Sequence, residues 1–153
     1  MAHNPHFKSV SNWKQASTLI SFEPLRPKFT AGFSLSSLSV HVMDHRKRQL
    51  SKNTRSLEAH YNGGFVLDQK RASSVNEAKR MALSTGYGPS AVTIQIAGHE
   101  GRSYDLGPEP PPDDRDGRMP AVVVWYEEDL FFLVASTQLK AEVLLRVAES
   151  MYT

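Results

Sequence analysis

Residues 39–49, SVHVMDHRKRQ, place His41 and His45 four positions apart, Asp44 beside the second, and the bases Arg46, Lys47 and Arg48 directly after. A metal, an anion or plain solvent would each suit such a set. On a helix, positions i and i+4 stack one turn apart, so two histidines at that spacing can share a zinc ion. On a strand they share a face but stand roughly 13 Å apart at about 3.3 Å per residue. Zinc–nitrogen bonds are about 2 Å, so one metal does not span that gap. The alternation Val40-His41-Val42 reads as strand, and no metal centre is expected.

Arg46, Lys47 and Arg48, followed by Lys52 and Arg55, fall at an expected strand–strand connection. A nucleic-acid surface calls for aromatics among the bases and a strongly basic domain, whereas the net charge here is +2. Nucleic acid is therefore not an expected partner. An anionic surface such as lipid headgroups is. The second candidate contact is Asp113, Asp114 and Arg115, in the proline-rich loop 107–120, GPEPPPDDRDGRMP. A calcium loop would need an acid two residues before Asp114, where Pro112 stands, and a glutamate where Val123 falls. A polar contact loop is the expectation.

Gly86, Gly88 and Gly98 match no phosphate-binding spacing, and no glycine–serine elbow or acid–histidine pairing marks a hydrolase. Glu58 and Asp68 can oppose each other across a hairpin, as any antiparallel pair does. There are no cysteines, hence no disulfide, thiolate ligand or cysteine nucleophile. The reading assigns no catalytic residue and no cofactor, and a non-enzymatic chain is expected.

The elements that would position these residues follow from periodicity. SVSNWKQASTLISF predicts a helix capped by Ser9 or Ser11, with Trp13, Ala16 and Ile20 on one face, ended by Pro24 and Pro27. In GFSLSSLSVHVM apolar residues alternate from Phe33 to Val42, with one slip at Ser36-Ser37 that a bulge would absorb. SLEAHYNGGFVLDQ predicts a hairpin, with Asn62-Gly63 as its two positive-φ turn residues. Ser74-x-x-Glu77 opens a second helix with stripe Val75, Ala78, Ala82 and Leu83, stopping at Gly86. AVTIQIAG and GRSYDL read as paired strands, and AVVVWYEEDLFFLVA as two more around Glu127-Glu128. A closing helix then carries Leu139, Val143, Val147 and Met151 on one face, with Leu144 and Ala148 beside them.

Strands joined by short turns, with helices at both ends and one between, predict an α+β fold: a curved antiparallel sheet of six to seven strands, its other face solvated. At 153 residues and 40% hydrophobic the chain fits one domain, expected over 11–153, after a disordered or appended N-terminus at 1–10. Its longest apolar run, LFFLVA, is far short of a membrane span, and the N-terminus lacks a signal-like apolar stretch. The expected location is extracytoplasmic if a native signal or anchor has been cut away, and cytoplasmic otherwise.

The stretch VVVWYEEDLFFLVASTQLKAEVLLRVAESMY, with Leu144, Leu145, Val147, Ala148 and Ser150 in its helix, resembles an extracytoplasmic domain of unknown function found at the C-terminal ends of bacterial anti-sigma factors and envelope lipoproteins. ISFEPLRPKFTAGFSLSSLSV resembles that family's entry. Tyr61, Gly63, Gly64 and Gln69 fall on its hairpin motif, and VTIQIAG on the strand before the tryptophan strand. The resemblance runs in order over residues 11–152. It departs at Lys140, where the family has a serine or threonine cap that Thr137 would replace, and in the long loop 107–120. It implies a non-enzymatic sensing or protein-interaction module of the cell envelope. The alternative is a small-ligand or lipid-binding domain with a pocket between sheet and helix. Tyr87 and Tyr104 join the bases as surface contact candidates.

Overall fold

A computed structural model describes residues 5–84, 91–105 and 121–153. In chain order the elements are β1 (Phe7–Ser9), α1 (Trp13–Ser17), β2 (Leu35–His41), β3 (Ser56–Tyr61), β4 (Phe65–Arg71), α2 (Val75–Ser84), β5 (Val92–Ile96), β6 (His99–Asp105), β7 (Ala121–Glu127), β8 (Leu130–Ser136) and α3 (Ala141–Glu149). The fold is α+β. One open antiparallel sheet of eight strands runs β1-β2-β3-β4-β8-β7-β6-β5, so two four-stranded meanders meet where β4 pairs with β8. The count exceeds the expected six or seven. The segment 1–10, expected to stand outside the domain, supplies β1, whose Phe7-Lys8-Ser9 is too short to show an alternation.

Period-2 patterning sorts the two faces. Leu38 and Val40 on β2, Leu57 and Ala59 on β3, Leu67 and Gln69 on β4, and Phe132 and Val134 on β8 all point inward and are buried. The slip at Ser36-Ser37 is a register shift, where Leu35 opposes Tyr61 and Ser37 opposes His60. The extra residue, Ser36, donates its hydroxyl to the His60 carbonyl at 2.9 Å. α3 lies on the inner face of the second meander, where Leu144, Val147, Ala148 and Met151 are buried with Trp125 and Phe132. Those two rings stack at 5.1 Å, so the space between sheet and α3 is filled by side chains.

The other face is not wholly solvated. α2 packs on β6, β7 and β8, and Tyr104, Val122 and Val124 are buried as a second cluster. Ala121 to Trp125 are all buried, because β7 has cover on both sides.

Residues 18–34 form a strap across the inner face of β2–β4, with no helix or strand. Ile20 and Phe22 are buried there, and Leu25, Phe29 and Phe33 pack against the same core. A buried irregular backbone needs partners for its N–H and C=O groups, and side chains supply them. Arg55 Nη1 donates to the Leu19 carbonyl at 2.9 Å. Arg71 donates to the Ser21 carbonyl and hydroxyl at 3.0 and 2.9 Å. The Gln69 amide accepts the Leu25 N–H at 2.8 Å and donates to the Leu25 carbonyl at 2.6 Å. Ser150 Oγ accepts the Lys28 and Phe29 N–H groups at 3.1 and 3.0 Å.

Several local expectations change. α1 is five residues long and is capped by Asn12, whose side chain accepts the Gln15 N–H, rather than by Ser9 or Ser11. Ile20 stays buried, but as part of the strap. The β3–β4 turn takes three residues, Asn62 to Gly64, and only Gly63 has positive φ. Gly64 lies under Phe33, whose ring would stand 2.5 Å from a Cβ at that position. The two-residue turn with both φ positive forms instead at Ala97-Gly98. Val75 is exposed, leaving Ala78 and Ala82 as the buried stripe of α2. Thr137 does not cap α3. Asp105 on β6 accepts the Ala141 N–H at 3.1 Å, while Ser136 Oγ takes the Gln138 and Leu139 N–H groups. Gly86 lies outside the described residues.

Gln69→Met keeps the volume but leaves the Leu25 N–H and carbonyl unpaired. Each orphaned group costs about 1–3 kcal/mol. Equilibrium urea unfolding should therefore show a loss of roughly 2–6 kcal/mol with an unchanged slope, at the cost per group just given.

Candidate functional site

The basic cluster belongs to a tight turn. β2 ends at His41, Met43 bridges to Gln49, and residues 44–48 close the loop. Asp44, the residue beside the second histidine, organises that loop. Its Oδ1 accepts the Arg46 and Arg48 N–H groups, each at 2.9 Å, and its Oδ2 meets Arg48 Nε at 3.3 Å. These backbone bonds, the Arg48 one first, hold the Asp44 carboxyl below its usual range. Lys47 takes φ of 63°, which the turn requires. Arg46, Lys47 and Arg48 are all exposed, so the loop presents a basic tip, with Arg48 bent back onto Asp44.

The two histidines of the opening motif do not lie on one strand, as the alternation had suggested. His45 is in the turn, whereas His41 closes β2. The ring that the fold brings to His41 is His6, stacked at 6.4 Å, with Phe7 at 4.9 Å. Among the described residues, no group of three or more His, Cys, Asp or Glu could hold a metal ion. Asp113, Asp114, Arg115 and Tyr87 lie outside the described residues. Tyr104, expected at the surface, is buried under α2, since its position on β6 faces the second apolar cluster.

The outer face of β2–β4 carries a second group. Glu58 on β3 stands directly opposite Asp68 on β4, and Ser39 on β2 opposes Glu58 from the other side. His60, two residues along β3, brings its Nε2 onto the Glu58 carboxylate. Asp68 Oδ1 is buried without a hydrogen-bond partner among the described residues. Burial first, then the Glu58 charge, push the Asp68 carboxyl up to about 6, and His60 opposes the shift. This face therefore changes charge near neutral pH. Opposed carboxylates were legible in the sequence; the burial that distinguishes Asp68 was not.

At the far end of the sheet, Trp125 Nε1 donates to the Tyr152 hydroxyl at 2.8 Å. Burial, more than any other influence, holds that hydroxyl proton above its ordinary range. The His99 ring lies tilted against Tyr152 at 5.3 Å, and its Nε2 approaches Glu127 at 3.5 Å. The contacts pin the C-terminus to β6 and β7.

Two clefts open at the rim. The larger, about 620 Å³, lies between Ser21, Thr54, Lys70 and Glu77, with the Arg71–Asp129 ion pair in its wall. The other, about 450 Å³, sits at the β3–β4 turn beside Ser136 to Gln138. Both are open to solvent, and neither lies between the sheet and α3.

These features define an α+β domain with an apolar inner core and a polar, ionisable outer face over β2–β4. The chain matches no protein-family model and no curated protein.

The raised Asp68 carboxyl makes stability depend on pH. The folded state favours its protonated form, so this contribution is complete below the ordinary value of 3.8 and is lost as pH rises through about 6. Asp68→Asn resembles the protonated form. It should match the parent near pH 4 and exceed it at pH 7.5 by roughly 2–3 kcal/mol, at about 1.4 kcal/mol per tenfold change in proton affinity. Urea titrations at the two pH values check this, and equal differences at both would contradict it.

Proposed function

We propose that the chain is a non-enzymatic sensing or protein-interaction module of the bacterial cell envelope, which meets its partner through the outer face of β2–β4 and the basic turn that extends β2. One observation carries this reading. The inner face is packed with apolar side chains, whereas α2 packs mainly on β6, β7 and β8 of the outer face, and its β2–β4 part bears Ser37, Ser39, Glu58, His60 and Asp68. A small-ligand domain would be expected to keep an apolar cavity between sheet and helix, and Trp125, Phe132, Leu144 and Val147 fill that space. The envelope assignment rests on the family-like order of motifs from the strap to the closing helix. No described helix is long and apolar enough to cross a membrane.

Ser37→Arg with Ser39→Arg adds bulk and charge to the outer face without touching the core. Immobilised parent protein should retain specific proteins from an envelope extract, and the double variant, melting at the same temperature, should lose them. If the parent retains nothing specific while an unbiased substrate panel shows turnover, an enzymatic reading replaces this one.

A further inference from the structure

β5 and β1 are the two edges of the sheet. Edge strands expose unpaired N–H and C=O groups, and proteins blunt them with short strands, lysines, prolines or bulges. β1 has such protection, being three residues long and carrying Lys8. β5 has none. Its sequence, Val-Thr-Ile-Gln-Ile, holds no charge and no proline, and its register with β6 runs from Val92↔Ser103 to Ile96↔His99 without a shift. Among the described residues, none pairs with its free side.

The hairpin geometry says which groups are offered. β5 and β6 are joined by two residues, Ala97 and Gly98, so the closing pair Ile96↔His99 exchanges ladder bonds. Alternation gives Ile94 and Val92 the same role, and it turns the N–H and C=O of Thr93 and Gln95 toward the free edge. Val92, Ile94 and Ile96 share the inner face. Ile96 is buried and Ile94 packs against the core, but Val92 is 57% exposed, the most open of the large apolar side chains among the described residues.

We propose that β5 is a pairing edge for a second copy of this chain, antiparallel about a twofold axis through Ile94. Ile94 is the midpoint of β5, so this axis overlaps the whole strand with itself. Thr93 then exchanges main-chain bonds with Gln95 of the second copy, and Gln95 with Thr93. Ile94 meets Ile94 in a non-hydrogen-bonded position, and Val92 stands opposite Ile96 of the second copy in the register. The opposed side chains are apolar on the inner face and uncharged on the outer one, so no like charges meet. A five-residue edge buries little area, which places the association in the weak, concentration-dependent class. The pairing is independent of the outer face of β2–β4.

The chain has no cysteine, so a single introduced one reports the register. Non-hydrogen-bonded antiparallel pairs hold their Cα atoms about 4.5 Å apart, within the range a disulfide spans. In concentrated solution under mild oxidation, Ile94→Cys should become mostly covalent dimer. Thr93→Cys, which faces Gln95 of the second copy, should cross-link at least about tenfold more slowly, because its own copy is out of disulfide reach. Adding Gln95→Pro to Ile94→Cys removes an outward N–H but no bond to β6, and should suppress the cross-link. A monomeric Ile94→Cys that melts like the parent overturns the pairing, as does equal cross-linking from Thr93→Cys. If Ile94→Cys is unstable, sedimentation of the parent decides. A concentration-dependent dimer abolished by Gln95→Pro supports the proposal, and a monomer at every concentration overturns it.

Discussion

The amide of Gln69 pairs with both main-chain groups of Leu25 from a fully packed position on β4. Much else depends on that constraint. The strap carries apolar residues that the first meander needs for its core, yet Pro24 and Pro27 keep it from becoming a helix or strand. Its backbone therefore cannot satisfy itself. A buried, unpaired peptide group costs about as much as the burial of a side chain gains. Arg55 just before β3, Gln69 and Arg71 on β4, and Ser150 at the end of α3 reach it, and tie an irregular segment to the sheet.

α3 fills the space over β5–β8, and the strap packs on the core over β2–β4. α2 crosses on the outer face and packs mainly on β6, β7 and β8. The remainder of that face is polar, and its geometry sets Glu58 against Asp68 with His60 alongside. Burial of Asp68 and the opposed Glu58 charge both favour its protonated form, so proton uptake relieves the pair. The open polar surface is thus a consequence of how the strap and the helices are distributed.

Long-period signals were legible in the sequence and short or tertiary ones were not. The β3–β4 hairpin, the bulge at Ser36-Ser37, the Ser74 cap that accepts the Glu77 N–H and the strands either side of Glu127-Glu128 all follow from alternation and turn chemistry. β1 escaped because three residues cannot display a period. The β3–β4 turn lengthened because Gly64 must admit the Phe33 ring, a contact between residues far apart in sequence. Asp105 caps α3 from another strand, so no local pattern near Lys140 announces it. Tyr104 looked like a surface aromatic because β6 is otherwise polar, and only the docking of α2 buries it. The expected solvated face missed the unbroken apolar run from Ala121 to Trp125, which is covered on both sides. At the candidate site, the basic residues of the turn were visible, but the role of Asp44 in shaping it and the burial of Asp68 depend on three-dimensional placement.

The central claim, that an irregular strap is locked to the sheet by side-chain bonds, is tested most directly by native-state hydrogen exchange at the Leu25 amide. That N–H belongs to no helix or strand, and its partner is the Gln69 side chain. If the strap is integral to the fold, the Leu25 amide exchanges only through global unfolding, with the same opening free energy as the amides of Leu67 and Val124 in the central strands. Exchange several kcal/mol easier than in those strands, at the level of a fraying loop, would contradict the account.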